Sequence, residues 1–313
     1  MRGNRPDSRP RMDWLGTALA SSGLFAIVFG FSHAELAGWS AALTVGSLVA
    51  GVVLLAAFVF AESRVSHPLL PLRVITNRAR GGSYLSVGLT GIAVFGVFLF
   101  LTYYLQEVKG YSPVTSGLAV LPMIACILLA SNTSSILLLP RVGPRALVVT
   151  GTLLGGGAMA YLTQLTVTSS YAVSILPALL ALGLGFGMIF APAINTATTG
   201  VDRRDSGVAS ALVNTMQQVG GSVGTAALST LALTATASYL AAHHTGALAP
   251  ATAAVHGYTV AFAVSAVLFG IGALAAVLLL PSRRRLEELR NSALAASAAP
   301  ATSPSPTDSL PAA

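Results

Sequence analysis

The sequence predicts an all-α, polytopic membrane protein with eight transmembrane helices, and three observations lead to that class. Charged residues make up only 9% of the chain and apolar residues 54%, whereas a soluble domain carries about 25% charged residues. The charges are gathered into short clusters: residues 81–106, 110–140, 146–201 and 206–282 contain no Asp, Glu, Lys or Arg. A bilayer-spanning helix needs about 20 apolar residues, so the two shorter runs hold one span each and the two longer runs hold two. The third observation is that the arginines fall between alternate spans, which an eight-span reading reproduces throughout.

The elements follow in order. Residues 1–13 form a basic leader with Arg2, Arg5, Arg9 and Arg11. Spans at 14–32 and 40–61 make a helix pair occupying 14–61. Segment 62–82 is a basic loop with Arg64, Arg73, Arg78 and Arg80, in which Pro68 and Pro71 oppose a continuous helix. Six further spans fill 83–281, at 83–106, 115–139, 146–166, 171–196, 207–239 and 257–280. Arg141 and Arg145 follow the fourth span, Arg203 and Arg204 the sixth, and Arg283, Arg284, Arg285 and Arg290 the eighth. Residues 282–313, rich in Ala, Ser, Pro and Thr towards the end, read as a disordered tail.

Basic residues in short loops stay on the cytoplasmic side during insertion. All sixteen arginines then lie on that side, while the opposite loops hold only Lys109. Both termini are expected in the cytoplasm. Sixteen arginines against one lysine, with abundant Ala and Gly, looks like the coding bias of a GC-rich genome, which bears on origin alone; the expected location is a bacterial inner (plasma) membrane. The start also resembles a secretory signal in outline, with Ser32-His33-Ala34 as a cleavage site. Its apolar stretch of about 19 residues exceeds the 7–15 of a signal core.

Composition also excludes function classes. The net charge of +7 forms no basic patch on a globular or amphipathic segment, which argues against nucleic acid as a partner. Cys126 is the single cysteine, so neither a disulfide nor a cysteine metal site is available. The five histidines (His33, His67, His243, His244 and His256) fall in loops or at helix ends, without metal-ligand spacing or a nucleophile motif. No enzyme chemistry, metal or cofactor is expected; membrane lipid is the expected surround.

Several phrases, taken in order, resemble one family. They are Asp13-Trp14-Leu15-Gly16; Pro68-Leu69-Leu70-Pro71-Leu72-Arg73 with Asn77-Arg78; and Thr102-Tyr103-Tyr104-Leu105-Gln106 with Gly110-Tyr111-Ser112-Pro113 and Gly117-Leu118. Gly207-Val208-Ala209-Ser210 follows, with Asn214-Thr215 and Gln217-Gln218-Val219-Gly220-Gly221. Together they resemble the fourteen-helix drug:proton antiporter branch of the major facilitator superfamily, over residues 13 to about 285. Arg141-Val142-Gly143-Pro144-Arg145 resembles a degenerate copy of that family's basic loop, as its internal repeats would give. The resemblance implies secondary active efflux of small amphipathic drugs or metabolites, with protons as the counter-ion. It further implies a linker helix pair followed by the second six-helix half, with the amino-terminal six helices absent, so a missing half or self-association is the expected protein partner. The alternative is a non-transporting membrane scaffold or partner subunit derived from a truncated transporter.

No acid lies at mid-depth in a span. Glu35, Glu62, Glu107, Asp202 and Asp205 all sit at ends, with Glu107 expected to pair with Lys109, and a coupling acid is expected in the missing half. Neutral polar residues are the better pathway candidates. On the seventh span Ser210, Asn214, Gln217, Gly221 and Thr225 recur at helical spacing. Gln217 lies eleven residues, or about 16 Å, from the cytoplasmic end. Its amide facing lipid would cost several kcal/mol, so it must face protein or water, as interhelical glue or as substrate contact. On the third span Gly91, Phe95, Phe98, Thr102 and Gln106 form a second stripe, suited either to an amphipathic drug or to helix packing. Asn132 on the fourth span is a further amide. Tyr103 and Tyr104 are candidates for interfacial anchoring. Gly183 and Gly187 on the sixth span, and Gly220, Gly221 and Gly224 on the seventh, are expected to permit close helix approach, with Pro177 and Pro192 as hinges.

Overall fold

The computed structural model describes residues 13–64, 78–198, 206–242 and 249–284, and all regular elements among them are helical. They are α1 (Trp14–Ala37), α2 (Ala42–Glu62), α3 (Arg78–Tyr103) and α4 (Pro113–Thr133), then α5 (Pro144–Leu162), α6 (Leu176–Thr198), α7 (Ser206–Ala242) and α8 (Ala249–Leu279). Three wider π-turns adjoin them: Tyr104–Val108 extends α3, Ser134–Leu138 extends α4, and Tyr171–Ile175 leads into α6. Among the described residues, eight helices are long and apolar enough to cross a membrane, which agrees with the predicted count.

Two helices start five or more residues before expectation, and α1 runs on to Ala37 rather than ending at 32. The third helix begins at Arg78, inside the segment read as loop, because a membrane helix can extend past the hydrocarbon core into the interfacial layer, where an apolar sequence is not needed. The eighth begins at Ala249 rather than 257. Pro250 is compatible with that start, since N–H groups of a first turn have no partner within the helix.

α1 and α2 form a hairpin closed at Gly38, whose φ of +88° a side chain would oppose. Asp13 caps α1 by accepting from the Gly16 N–H at 2.8 Å. A Cβ on Gly16 would lie 2.5 Å from Asp13 Oδ2 and 2.9 Å from Glu62 Oε1. The two carboxyl groups both reach towards Gly16, and Glu62, at the end of α2 as expected, is buried there. The pair meets the rest of the molecule through α1 against α7. At its turn Trp39 Nε1 donates to Thr230 Oγ1 at 3.0 Å.

The remaining six helices make one bundle. α3 packs against α6, α7 and α8; α6 lies between α4 and α5; α8 also contacts α5 and α7. Tyr104, Leu105, Met123, Met159, Leu162, Phe186 and Phe262 fill the centre. Three buried hydroxyls are satisfied inside their own helix: Ser86 donates to the Gly82 carbonyl at 2.8 Å, Thr90 to Ser86 at 2.7 Å and Ser265 to Ala261 at 2.8 Å. Val267 and Leu274, on one face of α8, point outward, as lipid-facing positions do where hydrocarbon replaces water.

Pro177, expected as a packing or hinge residue, stands at the start of α6. It is the second residue of α6, directly after the Tyr171–Ile175 π-turn. A proline at 177 supplies no N–H to the carbonyl four residues earlier. That carbonyl, on Val173, accepts the Tyr161 hydroxyl at 3.0 Å instead. The position is thus pinned to α5. Pro192, by contrast, lies inside α6.

Candidate functional site

The glycine expectations become specific contacts. A Cβ on Gly183 would meet the Met123 carbonyl oxygen at 2.5 Å and Cys126 Cβ at 2.7 Å. One on Gly187 would meet Ala130 Cβ at 2.6 Å and the Ile127 oxygen at 2.7 Å. These two glycines let α6 seat directly on α4. On α7, Gly220 faces the Gly88 backbone, Gly224 faces Ile92, and Gly221 lies 2.5 Å (as a built Cβ) from the Phe95 ring. Gly91 in turn faces the Gln217 backbone, where a Cβ would lie 2.7 Å from the carbonyl oxygen. The predicted stripes on α3 and α7 therefore meet, with Gly91 and Phe95 of one against Gln217 and Gly221 of the other.

Beyond that crossing, the α3 stripe continues outward as Phe98, Thr102 and Gln106. Phe95 and Phe98 are 39% and 37% exposed, and Thr102 and Gln106 are half-buried. On α7, Asn214 is exposed and Gln217 half-buried, with Ser210 and Gln218 also exposed. Asn132 is not brought to this crossing. It lies on α4, which packs chiefly on α6, and its Nδ2 donates to its own helix, at the Leu128 carbonyl, 2.8 Å away. Thr133 beside it is exposed, whereas Ser134 is buried with its hydroxyl unpartnered. The pathway candidates thus occupy open helix faces. A cleft between α5 and α6, lined by Leu153, Gly157, Tyr161, Pro177 and Ala181, contains none of them.

At the far end of α3, sequence reasoning mispaired one residue. Lys109 Nζ donates to the Val167 carbonyl at 3.4 Å, and Glu107 accepts from the Tyr258 hydroxyl at 3.4 Å. The π-turn separates the two side chains, which adjacency in sequence did not reveal. Tyr104 is fully buried, donating to the Thr166 carbonyl at 2.7 Å, so of the two candidate interfacial tyrosines it is Tyr103 that is exposed. Asp202, Asp205, His67, His243 and His244 lie outside the described residues. Among the described residues no group of His, Cys, Asp or Glu is placed to hold a metal.

The Major Facilitator Superfamily model matches residues 11–225. The chain is 44% identical over 301 residues to the puromycin resistance protein of Streptomyces alboniger, which covers 96% of this chain and 60% of that protein. It is 34% identical over 228 residues to a cephamycin export protein of Amycolatopsis lactamdurans, covering 72% of this chain and 47% of the relative. A tetracenomycin C resistance and export protein of Streptomyces glaucescens is 32% identical over 228 residues, covering 72% and 42%. The chain therefore spans 60% or less of the length of these three relatives.

Proposed function

The chain belongs to the major facilitator superfamily, and from that premise we propose that it is the carboxy-terminal part of a secondary active exporter of amphipathic drugs or metabolites, coupled to protons. One observation carries the reading beyond family membership. Asn214 and Gln218 on α7, and Asn132 and Thr133 on α4, are exposed. Asn214 lies eight residues (about 12 Å) inside the start of α7, and Asn132 about 15 Å inside the last turn that follows α4. At that depth an amide whose hydrogen-bonding groups are not all satisfied costs several kcal/mol in hydrocarbon, and Asn132 uses only its Nδ2, on the Leu128 carbonyl, so these faces are suited to water or to further protein.

In this reading 14–61 is a linker pair and 83–281 one transporter half, with both termini cytoplasmic in a bacterial inner membrane. A further six-helix region supplies the opposite wall and the proton-carrying acid. Phe95, Phe98, Thr102, Gln106, Asn132, Asn214 and Gln217 line the pathway, the two rings taking apolar parts of the substrate and the amides its polar groups. The names of the relatives suggest an antibiotic such as puromycin as substrate.

The test is puromycin accumulation in inside-out vesicles holding this chain together with the membrane region by which its relatives exceed it. Accumulation should require a proton gradient, and Gln217→Leu should lower it about tenfold while leaving the protein amount unchanged. Transport that ignores Gln217, Asn214 and Phe98 alike would remove these residues from the pathway.

A further inference from the structure

The outer end of α3 carries chemistry that the export pathway leaves unused. The Tyr104–Val108 π-turn presents Glu107 to α8, where the Tyr258 hydroxyl donates to Oε2 at 3.4 Å. The Tyr258 ring lies 5.8 Å from Phe100 and 6.4 Å from Tyr103, centroid to centroid. Phe100 and Tyr258 are buried and form a fixed wall, while Tyr103 and the Glu107 carboxylate are both exposed. The nearest basic side chain in sequence leaves the place open, because Lys109 is turned to the Val167 carbonyl.

A carboxylate beside an open aromatic face is complementary to an ammonium group. The charge meets the carboxylate, and the N-methyl or N-methylene groups, which share the positive charge, rest on the ring. A phosphate or carboxylate ligand would be repelled, and a neutral amphiphile would gain only apolar contact. We propose that Glu107, with the rings of Tyr103 and Tyr258, binds the ammonium group of an amphipathic molecule at the outer rim of the bundle. The ammonium has two chemical sources, an aminolipid headgroup and a free organic cation. Binding itself stands apart from the export reading; only a role for the site at the pathway exit, beside Thr102 and Gln106, rests on it.

Native mass spectrometry of the full chain in detergent tests this with three probes: phosphatidylethanolamine, phosphatidylglycerol of the same acyl chains, and benzyltributylammonium. Glu107→Gln should weaken the ammonium ligands about fivefold, and Tyr103→Leu about threefold, with phosphatidylglycerol unchanged in both. Loss confined to phosphatidylethanolamine supports the site with lipid as its source; loss confined to benzyltributylammonium supports it with a free cation. Unchanged binding of both ammonium probes in Glu107→Gln overturns the proposal, as does an equal loss of phosphatidylglycerol, which would mark a general loss of fold.

Discussion

Gly187→Ala separates tight packing from simple apolar burial, because the same substitution at Gly157 should have the opposite sign. A methyl on Gly187 would lie 2.6 Å from Ala130 Cβ and 2.7 Å from both the Ile127 oxygen and the Ser131 nitrogen. Two of those atoms are backbone and the third is a β-carbon, so none can rotate away. Restoring an ordinary contact of 3.4 Å moves α4 off α6 by about 0.8 Å. A gap of that size forfeits roughly a quarter to a half of each dispersion contact along the seam. In a membrane, where helices associate largely by such contacts, overpacking of this kind costs about 2–3 kcal/mol. Alanine recovers up to about 1 kcal/mol of helix propensity, leaving a net loss of about 1–2 kcal/mol. A Cβ on Gly157 meets nothing within 4 Å, so Gly157→Ala keeps the propensity gain and should stabilise by up to about 1 kcal/mol. Dodecyl sulfate titration in bicelles, followed by circular dichroism, measures both. Equal stability of the two variants, or Gly187→Ala at least as stable as the wild type, would refute the account of the α4–α6 seam.

Other outcomes follow from single contacts. Tyr161→Phe should cost about 1 kcal/mol, since the Val173 carbonyl that Pro177 leaves without an N–H loses its donor; the same titration reads it. Trp39→Phe keeps an aromatic ring but removes the bond to Thr230, and faster hydrogen exchange in α1 and α2 relative to α5 should follow, corresponding to about 0.6 kcal/mol. Asp13→Ala should lose about 1 kcal/mol of capping, whereas Asp13→Asn should retain it, because the amide oxygen still accepts from Gly16 while one charge beside Glu62 is removed; thermal unfolding distinguishes the pair.

The eight helices were legible because charge-free runs are long compared with a span, and the excess of arginine on alternate loops breaks the remaining ambiguity. Glycine seams were legible as well, since Gly183 and Gly187 recur at one turn of helix and Gly220 and Gly224 do the same. Helix ends were less so: α3 and α8 run several residues further than hydropathy suggests, because the interfacial layer accepts both arginine and proline without an apolar signature. The contact made around Pro177 was not legible for a related reason. A proline signals a missing N–H, but whether the freed carbonyl bends the helix or finds Tyr161 depends on a neighbouring helix that sequence spacing does not place. The Glu107–Tyr258 contact was hidden in the same way, joining residues 151 positions apart. Asn132 could be recognised as an intramembrane amide, yet only the packing of α4 on α6 shows that it stands apart from the stripes of α3 and α7.

The central claim is that open polar faces on α3 and α7 form one wall of an export pathway. Cysteine substitution at Phe98, Asn214 and Gln217, in vesicles that hold the chain with its complementary membrane region, tests it most directly. Labelling by a membrane-impermeant maleimide should be slowed several-fold by transported amphiphile and should change when the proton gradient is collapsed, while Val267→Cys on the outward face of α8 stays unlabelled. If the three pathway positions are as inaccessible as residue 267, with or without substrate, those faces meet lipid or sealed protein, and the export account is contradicted.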